Sequence, residues 1–266
     1  MKITFLGAGV FGSALAKIAE ENGHEVRFYD PYKYPDNTLH DATNGSDLNI
    51  FTAPSSAATE ILSDLDKETP LICASKGFLS LKPFTDFKDF SALGGAGFAE
   101  QIETIEQTNT VTFTTSSETA ETIFSTENIK IEYTKDTLGI MLCGALKNVF
   151  AIGAGLYGEA ESNAAPMSYL ESAISEMQQI LNANHADPNT LRLSCGAADL
   201  VLSCSNKSRN FRFGQSLKNG NFNSEETVEG LSVIQSIKNY PEFIVPDSAH
   251  LFSDIIKIVE EYYVAK

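Results

Sequence analysis

Residues 2–30 read KITFLGAGVFGSALAKIAEENGHEVRFYD. A short run dense in strand formers leads straight into GAGVFG at residues 7–12. Ala14, Leu15, Ile18 and Ala19 then repeat at helix spacing, and EVRFYD gives a second strand ending at Asp30. Strand, glycine-rich turn, helix and strand is the order a dinucleotide-binding unit requires. Gly7 permits the tight turn, Gly9 lets backbone approach a pyrophosphate, and Gly12 allows helix and strand to pack closely. The helix N-terminus then offers unpaired N–H groups and a positive dipole end to phosphates. Asp30 lies near the usual distance of about 20 residues for an acid that bonds a ribose 2′-hydroxyl. A carboxylate there favours NAD. Lys33 is close enough in sequence to serve NADP, and Asp30 could instead cap the next turn.

Further strands are expected at 48–56 (LNIFTAPSS), 70–78 (PLICASKGF), 90–100 (FSALGGAGFAE), 110–115 (TVTFTT) and 129–134 (IKIEYT). Strands alternating with helical stretches predict a doubly wound parallel sheet. Ligands bind such sheets at the carboxyl ends of the strands, where Pro54, Lys76, Gly95 and Ala99 fall. After Thr134 strand signals fade, which predicts a Rossmann domain over 1–133 and an all-α domain over 134–266.

Of the 266 residues, 42% are hydrophobic and 20% charged, enough apolar material for a sizeable core. The 19 Lys and Arg against 35 Asp and Glu give a net charge of −16, which disfavours nucleic-acid and anionic-membrane partners. Four cysteines without a CxxC, and no secretory signal, predict a reduced cytoplasmic protein without disulfides. The four histidines lack metal-ligand spacing, so no metal is expected.

Residues 138–158, LGIMLCGALKNVFAIGAGLYG, read as one long buried helix. It could be weighed as a membrane span, but Lys147 near its middle would cost about 3 kcal/mol in a bilayer. A buried ammonium needs a partner or a lowered pKa. The alternative is a lysine that snorkels to the surface. In CGAADLVLSCSNKSRNFRFG, residues 195–214, Asp199 and Ser203 stand one helical turn apart on one face. Ser208, Arg209 and Asn210 form a donor-rich patch, and Lys207, Arg209 and Arg212 concentrate cations in an acidic chain. That patch suits phosphate, although a basic surface turn would read the same way.

Together these stretches resemble the bacterial-type NAD(P)-dependent glycerol-3-phosphate dehydrogenases over nearly the whole chain. GAGVFGSALA resembles the nucleotide turn, SKGF the first lysine motif and GALKNVFAIGAG the catalytic helix. GGAGFAEQ is similar to a Gly-Pro-Ser-Phe-Ala-Glu motif, with Ala96 in place of proline. ADPNTLRLSCGAADLVLSCSNKSRNFRFG resembles the second-domain signature, and VEG at 228–230 a late cofactor-contacting motif. The family is typically longer, with the chain compressed between Asp30 and Asp47 and at its C-terminal end. At 158–177 Asn163 remains, but the family's basic residue and Arg-Gly pair are absent.

The resemblance implies Lys147 as general acid/base, assisted by Lys76 and Asp199. Lys76 would lower the pKa of Lys147, opposing Asp199. It implies substrate contacts from Lys76, Gly95, Gly97, Asn148, Asp199, Ser208, Arg209 and Asn210. Cofactor contacts would come from Gly7, Gly9, Val10, Phe11, Gly12, Asp30, Pro54, Lys76, Ala99, Arg209 and Glu229. The implied reaction is reduction of dihydroxyacetone phosphate with NAD, or with NADP as the other possibility, in a homodimer without membrane insertion. Two other readings stay open: a related dehydrogenase of another hydroxyacid or phosphorylated hydroxy compound, and a non-catalytic dinucleotide sensor.

Overall fold

The computed structural model describes residues 1–97, 110–158, 163–220 and 228–264. The chain divides into two compact units: residues 1–76 with 81–137, and residues 77–80 with 138–266. Nothing in the sequence sets 77–80 apart. There Phe78 and Leu79 are buried, and Ser80 Oγ donates to Glu242 Oε1 at 3.1 Å within the second unit.

The first unit is a seven-stranded sheet: β1 (Lys2–Leu6), β2 (Glu25–Tyr29), β3 (Leu48–Phe51), β4 (Leu71–Cys73), β5 (Phe90–Gly95), β6 (Val111–Thr115) and β7 (Ile129–Tyr133). The spatial order is β2-β1-β3-β4-β5-β6-β7. Among the described residues its helices are α1 (Val10–Glu21), α2 (Leu39–Thr43), α3 (Ala58–Ser63) and α4 (Ala120–Phe124). A core cluster joins Ile3 and Phe5 of β1, Leu15 and Ile18 of α1, Ile50 of β3, Phe113 of β6 and Phe124 of α4. Asn22, just past α1, donates to the carbonyls of Ile123 and Ser125 and ties the two helices together.

Strands β1 to β5 pair parallel, as expected. Among the described residues the sheet departs from parallel pairing only at β6, which pairs antiparallel with β5, while β7 follows β6 in parallel. Residue alternation marks a strand but not its direction. The expected strand at 90–100 is described to Gly95; Ala99 lies outside the described residues.

The connection from β1 runs to β2 on one side, and that from β3 runs to β4 on the other. That makes the ends of β1 and β3 the switch point where such sheets bind ligands.

The second unit is built on α5 (Thr137–Tyr157), whose residues 139–155 are all buried. It is apolar and long enough to cross a membrane, yet 94% of its apolar window is buried inside the protein. Around it lie α6 (Met167–Ala183), α7 (Asp199–Ser203), α8 (Arg209–Lys218), α9 (Glu229–Ile237) and α10 (His250–Val264). Among its described residues an isolated antiparallel bridge, Ala164 to Ser205, accompanies the helices. Helices α5 and α8 meet backbone to backbone: a Cβ on Gly155 would lie 2.1 Å from the Phe211 carbonyl, and one on Gly214 2.0 Å from that of Ile152. Glu176 of α6 accepts N–H bonds from Leu251 and Phe252, both at 2.8 Å, and so caps α10.

Candidate active site

The glycine turn of the first unit is shaped by contact with β3. Gly7 has φ +116°, and a Cβ there would sit 2.6 Å from the Ala53 nitrogen. A Cβ on Gly12 would lie 2.5 Å from the Gly7 carbonyl and 2.7 Å from Thr52 Oγ1. Thr52, not anticipated from sequence, donates to the Gly7 carbonyl at 2.7 Å and pins the turn. Gly9 differs: a Cβ there would meet nothing within 4 Å. It precedes α1 without any side-chain cap, and Val10 is 66% exposed. Open space before an uncapped helix start fits a dinucleotide pyrophosphate. Gly7, Gly9, Val10, Phe11 and Gly12 would hold it.

Asp30, at the end of β2, accepts the Ala8 N–H at 2.8 Å on one oxygen. The other oxygen takes those of Tyr32 and Lys33. Burial pushes the Asp30 pKa up. The N–H bonds from Ala8, Lys33 and Tyr32, with the Lys33 ammonium, outweigh it and hold the carboxyl below its ordinary value. Asp30 therefore does cap its turn, and it remains a charged carboxylate at the β2 end. Lys33 Nζ is itself drawn onto the Ala8 carbonyl.

Lys76, just past β4, donates to the Gly95 carbonyl at 3.2 Å, and its Nζ lies 5.7 Å from the Phe11 ring centroid. Gly95 and Gly97 are buried, and a Cβ on either would approach β6, at Thr112 and Val111. Pro54 is exposed at the β3 end.

In the second unit Lys147 is 6% exposed and its Nζ donates to Asp199 Oδ1 at 2.7 Å and Ser203 Oγ at 2.9 Å. It does not snorkel. A π-helical turn at Ser194–Ala198, broken at Gly196, feeds α7 so that Asp199 and Ser203 face α5. Ser203 is a polar partner that the site assignment lacked; its spacing four residues from Asp199 was the available signal. Cys204 lies close by, its thiol pushed up to about 12 by burial against the opposing pull of the Lys147 ammonium.

Asn148, next along α5, turns to α8 and α9. Its Nδ2 donates to Glu229 Oε2 at 3.1 Å and its Oδ1 accepts from Asn210 Nδ2 at 3.0 Å. Ser208 caps the start of α8 without a side-chain bond to it, and Arg209 is exposed at its first turn. The expected cation cluster is sorted by its contacts. Arg212 is spent on the carbonyls of Asn206 and Lys207, whereas the Arg209 side chain has no hydrogen-bond or ion-pair partner among the described residues. Asn163 clasps Asn206 through backbone and side chain, at 2.9 and 2.7 Å, and so steadies the segment before Ser208.

A family model described as NAD-dependent glycerol-3-phosphate dehydrogenase C-terminus matches residues 136–265, and its N-terminal counterpart matches residues 2–35. The chain belongs to the NAD-dependent glycerol-3-phosphate dehydrogenase family. It is accordingly an NAD(P)-dependent oxidoreductase. A glycerol-3-phosphate dehydrogenase [NAD(P)+] of Oceanobacillus iheyensis is 28% identical over 88% of this chain and 80% of its own length. One from Escherichia coli is 28% identical over 98% and 90%. Among solved structures, the Coxiella burnetii glycerol-3-phosphate dehydrogenase shares the fold at a TM-score of 0.83 and 20% identity, covering 98% of this chain and 95% of that one. A ketopantoate reductase from Ralstonia eutropha shares it more distantly, at a TM-score of 0.56 and 14% identity, covering 98% and 99%.

Proposed function

We propose that this member of the glycerol-3-phosphate dehydrogenase family interconverts dihydroxyacetone phosphate and sn-glycerol 3-phosphate, with Lys147 as general acid/base. The observation that carries the assignment of the acid is the buried hydrogen-bonded group of Lys147, Asp199 and Ser203. An ammonium is held in an apolar helix only where its charge is compensated, and Asp199 compensates it.

A bound dinucleotide, held at Gly7, Gly9 and Gly12, would supply the hydride for C2 of the ketone. Negative charge then develops on the carbonyl oxygen. The Lys147 ammonium stabilises that charge and donates the proton that completes the alcohol; in the reverse direction the amine takes it back. General acid catalysis of this kind is worth about 10²–10⁴-fold. Asp199 and Ser203 fix Lys147 Nζ in place. Ser208 and Arg209 hold the phosphate, and Arg suits it because the guanidinium bonds phosphate bidentately. Lys76 serves as a further cationic contact, and Asp30 directs the preference to NAD over NADP. The protein acts in the cytoplasm as a homodimer.

Arg209→Ala tests the phosphate assignment. The KM for dihydroxyacetone phosphate is expected to rise by at least tenfold, with a smaller change for a substrate lacking the phosphate. An unchanged KM sinks the assignment.

A further inference from the structure

Two asparagines, one glutamate and one backbone N–H form a closed ring in the second unit. Gly230 N donates to Asn210 Oδ1 at 2.9 Å. Asn210 Nδ2 donates to Asn148 Oδ1 at 3.0 Å, and Asn148 Nδ2 donates to Glu229 Oε2 at 3.1 Å. The peptide bond between Glu229 and Gly230 closes the loop. Asn148 is 3% exposed and Asn210 7% exposed.

The polarity of this ring is fixed at both ends. A backbone N–H can only donate, so the oxygen of Asn210 must face Gly230 and its amide nitrogen must face Asn148. The oxygen of Asn148 then faces Asn210, which leaves its nitrogen to face the Glu229 carboxylate, which can only accept. Neither amide can flip without putting two donors or two acceptors together. The ring is also held close: a Cβ on Gly230 would lie 2.7 Å from the Asn148 carbonyl oxygen and 2.6 Å from Ile152 Cδ1. The first turn of α9 is thus docked on α5 through these bonds.

We propose that Asn148 is the positioning residue of Glu229, so that Glu229 and Asn210 are set as one hydrogen-bonded unit through it. This goes beyond a substrate contact for Asn148, and it rests on the reading of Glu229 as a dinucleotide contact. Lys147 and Asn148 then divide the work of one helix turn: the first carries the proton, the second fixes the carboxylate that meets the cofactor.

The test is a double-mutant cycle in the full-length protein: wild type, Asn148→Asp, Glu229→Gln and the two combined. NADH dissociation constants and thermal midpoints are read on all four. Asn148→Asp faces one carboxylate with another and is expected to weaken NADH at least tenfold and to lower the midpoint. In the combined variant the amide introduced on α9 donates to the carboxylate introduced on α5, so the pair is again one donor and one acceptor. Its midpoint is expected to return towards wild type, and its NADH affinity to be no worse than that of Glu229→Gln alone. Effects that simply multiply in affinity and add in midpoint overturn the proposal, as does an unaltered Asn148→Asp. If Glu229→Gln leaves NADH affinity unchanged, the dinucleotide reading of Glu229 fails, and the proposal with it. That failure stays distinct, because the midpoints still report whether the ring exists.

Discussion

Lys147 shows most directly how one residue links stability to chemistry. Its ammonium and the Asp199 carboxylate are both buried, at 6% and 1% exposure, so neither charge is tolerable without the other. Lys147→Ala is therefore expected to lose activity and also to destabilise, by about 3–5 kcal/mol, because it strands a buried carboxylate. Lys147→Ala with Asp199→Asn removes that charge and is expected to recover much of the stability in denaturant unfolding while staying inactive. Equal instability of the two would show that Asp199 is not left uncompensated. Much of this was legible in the sequence. A lysine inside an apolar run called for a partner, a lowered pKa or a route to the surface, and the four-residue spacing put Asp199 and Ser203 on one face. Long-range partners were not. That Arg212 would serve loop carbonyls, or that Asn163 would clasp Asn206, depends on contacts between residues 5 to 43 apart.

At the scale of elements, glycines of identical sequence appearance do different work. Gly155 and Gly214 let α5 and α8 touch at backbone distance, whereas Gly9 faces open space before α1. Gly214→Ala drives a methyl into the Ile152 carbonyl and is expected to cost about 1–3 kcal/mol or more in unfolding free energy. Gly9→Ala has no such clash and is expected to leave the thermal midpoint within a few degrees while weakening NADH binding. A Gly9→Ala protein that binds NADH normally would contradict the pyrophosphate assignment. The order of strand, turn and helix at residues 2–30 was readable because local periodicity and glycine position set it. The reversal of β6 and β7 was not, since alternation along a strand is blind to direction. The capping of α10 by Glu176 likewise joins elements 75 residues apart and leaves no local mark.

For the whole molecule, each of the two units carries its own set of candidate groups. The first offers a glycine turn, an uncapped helix start and a carboxylate at the end of β2. The second offers a buried, compensated lysine and an exposed arginine at the start of α8. The acidic net charge of −16 sets these cations apart, because an anionic substrate must be drawn to local positive charge against the overall field. The measurement that tests the account most directly is oxidation of NADH and NADPH with dihydroxyacetone phosphate, followed at the nicotinamide absorbance, with Lys147→Ala beside the wild type. The account predicts oxidation that depends on the phosphorylated ketone, faster with NADH, and lowered at least 10²-fold in the variant while NADH still binds. Near-normal turnover in Lys147→Ala, or no turnover in the wild type despite NADH binding, would contradict it.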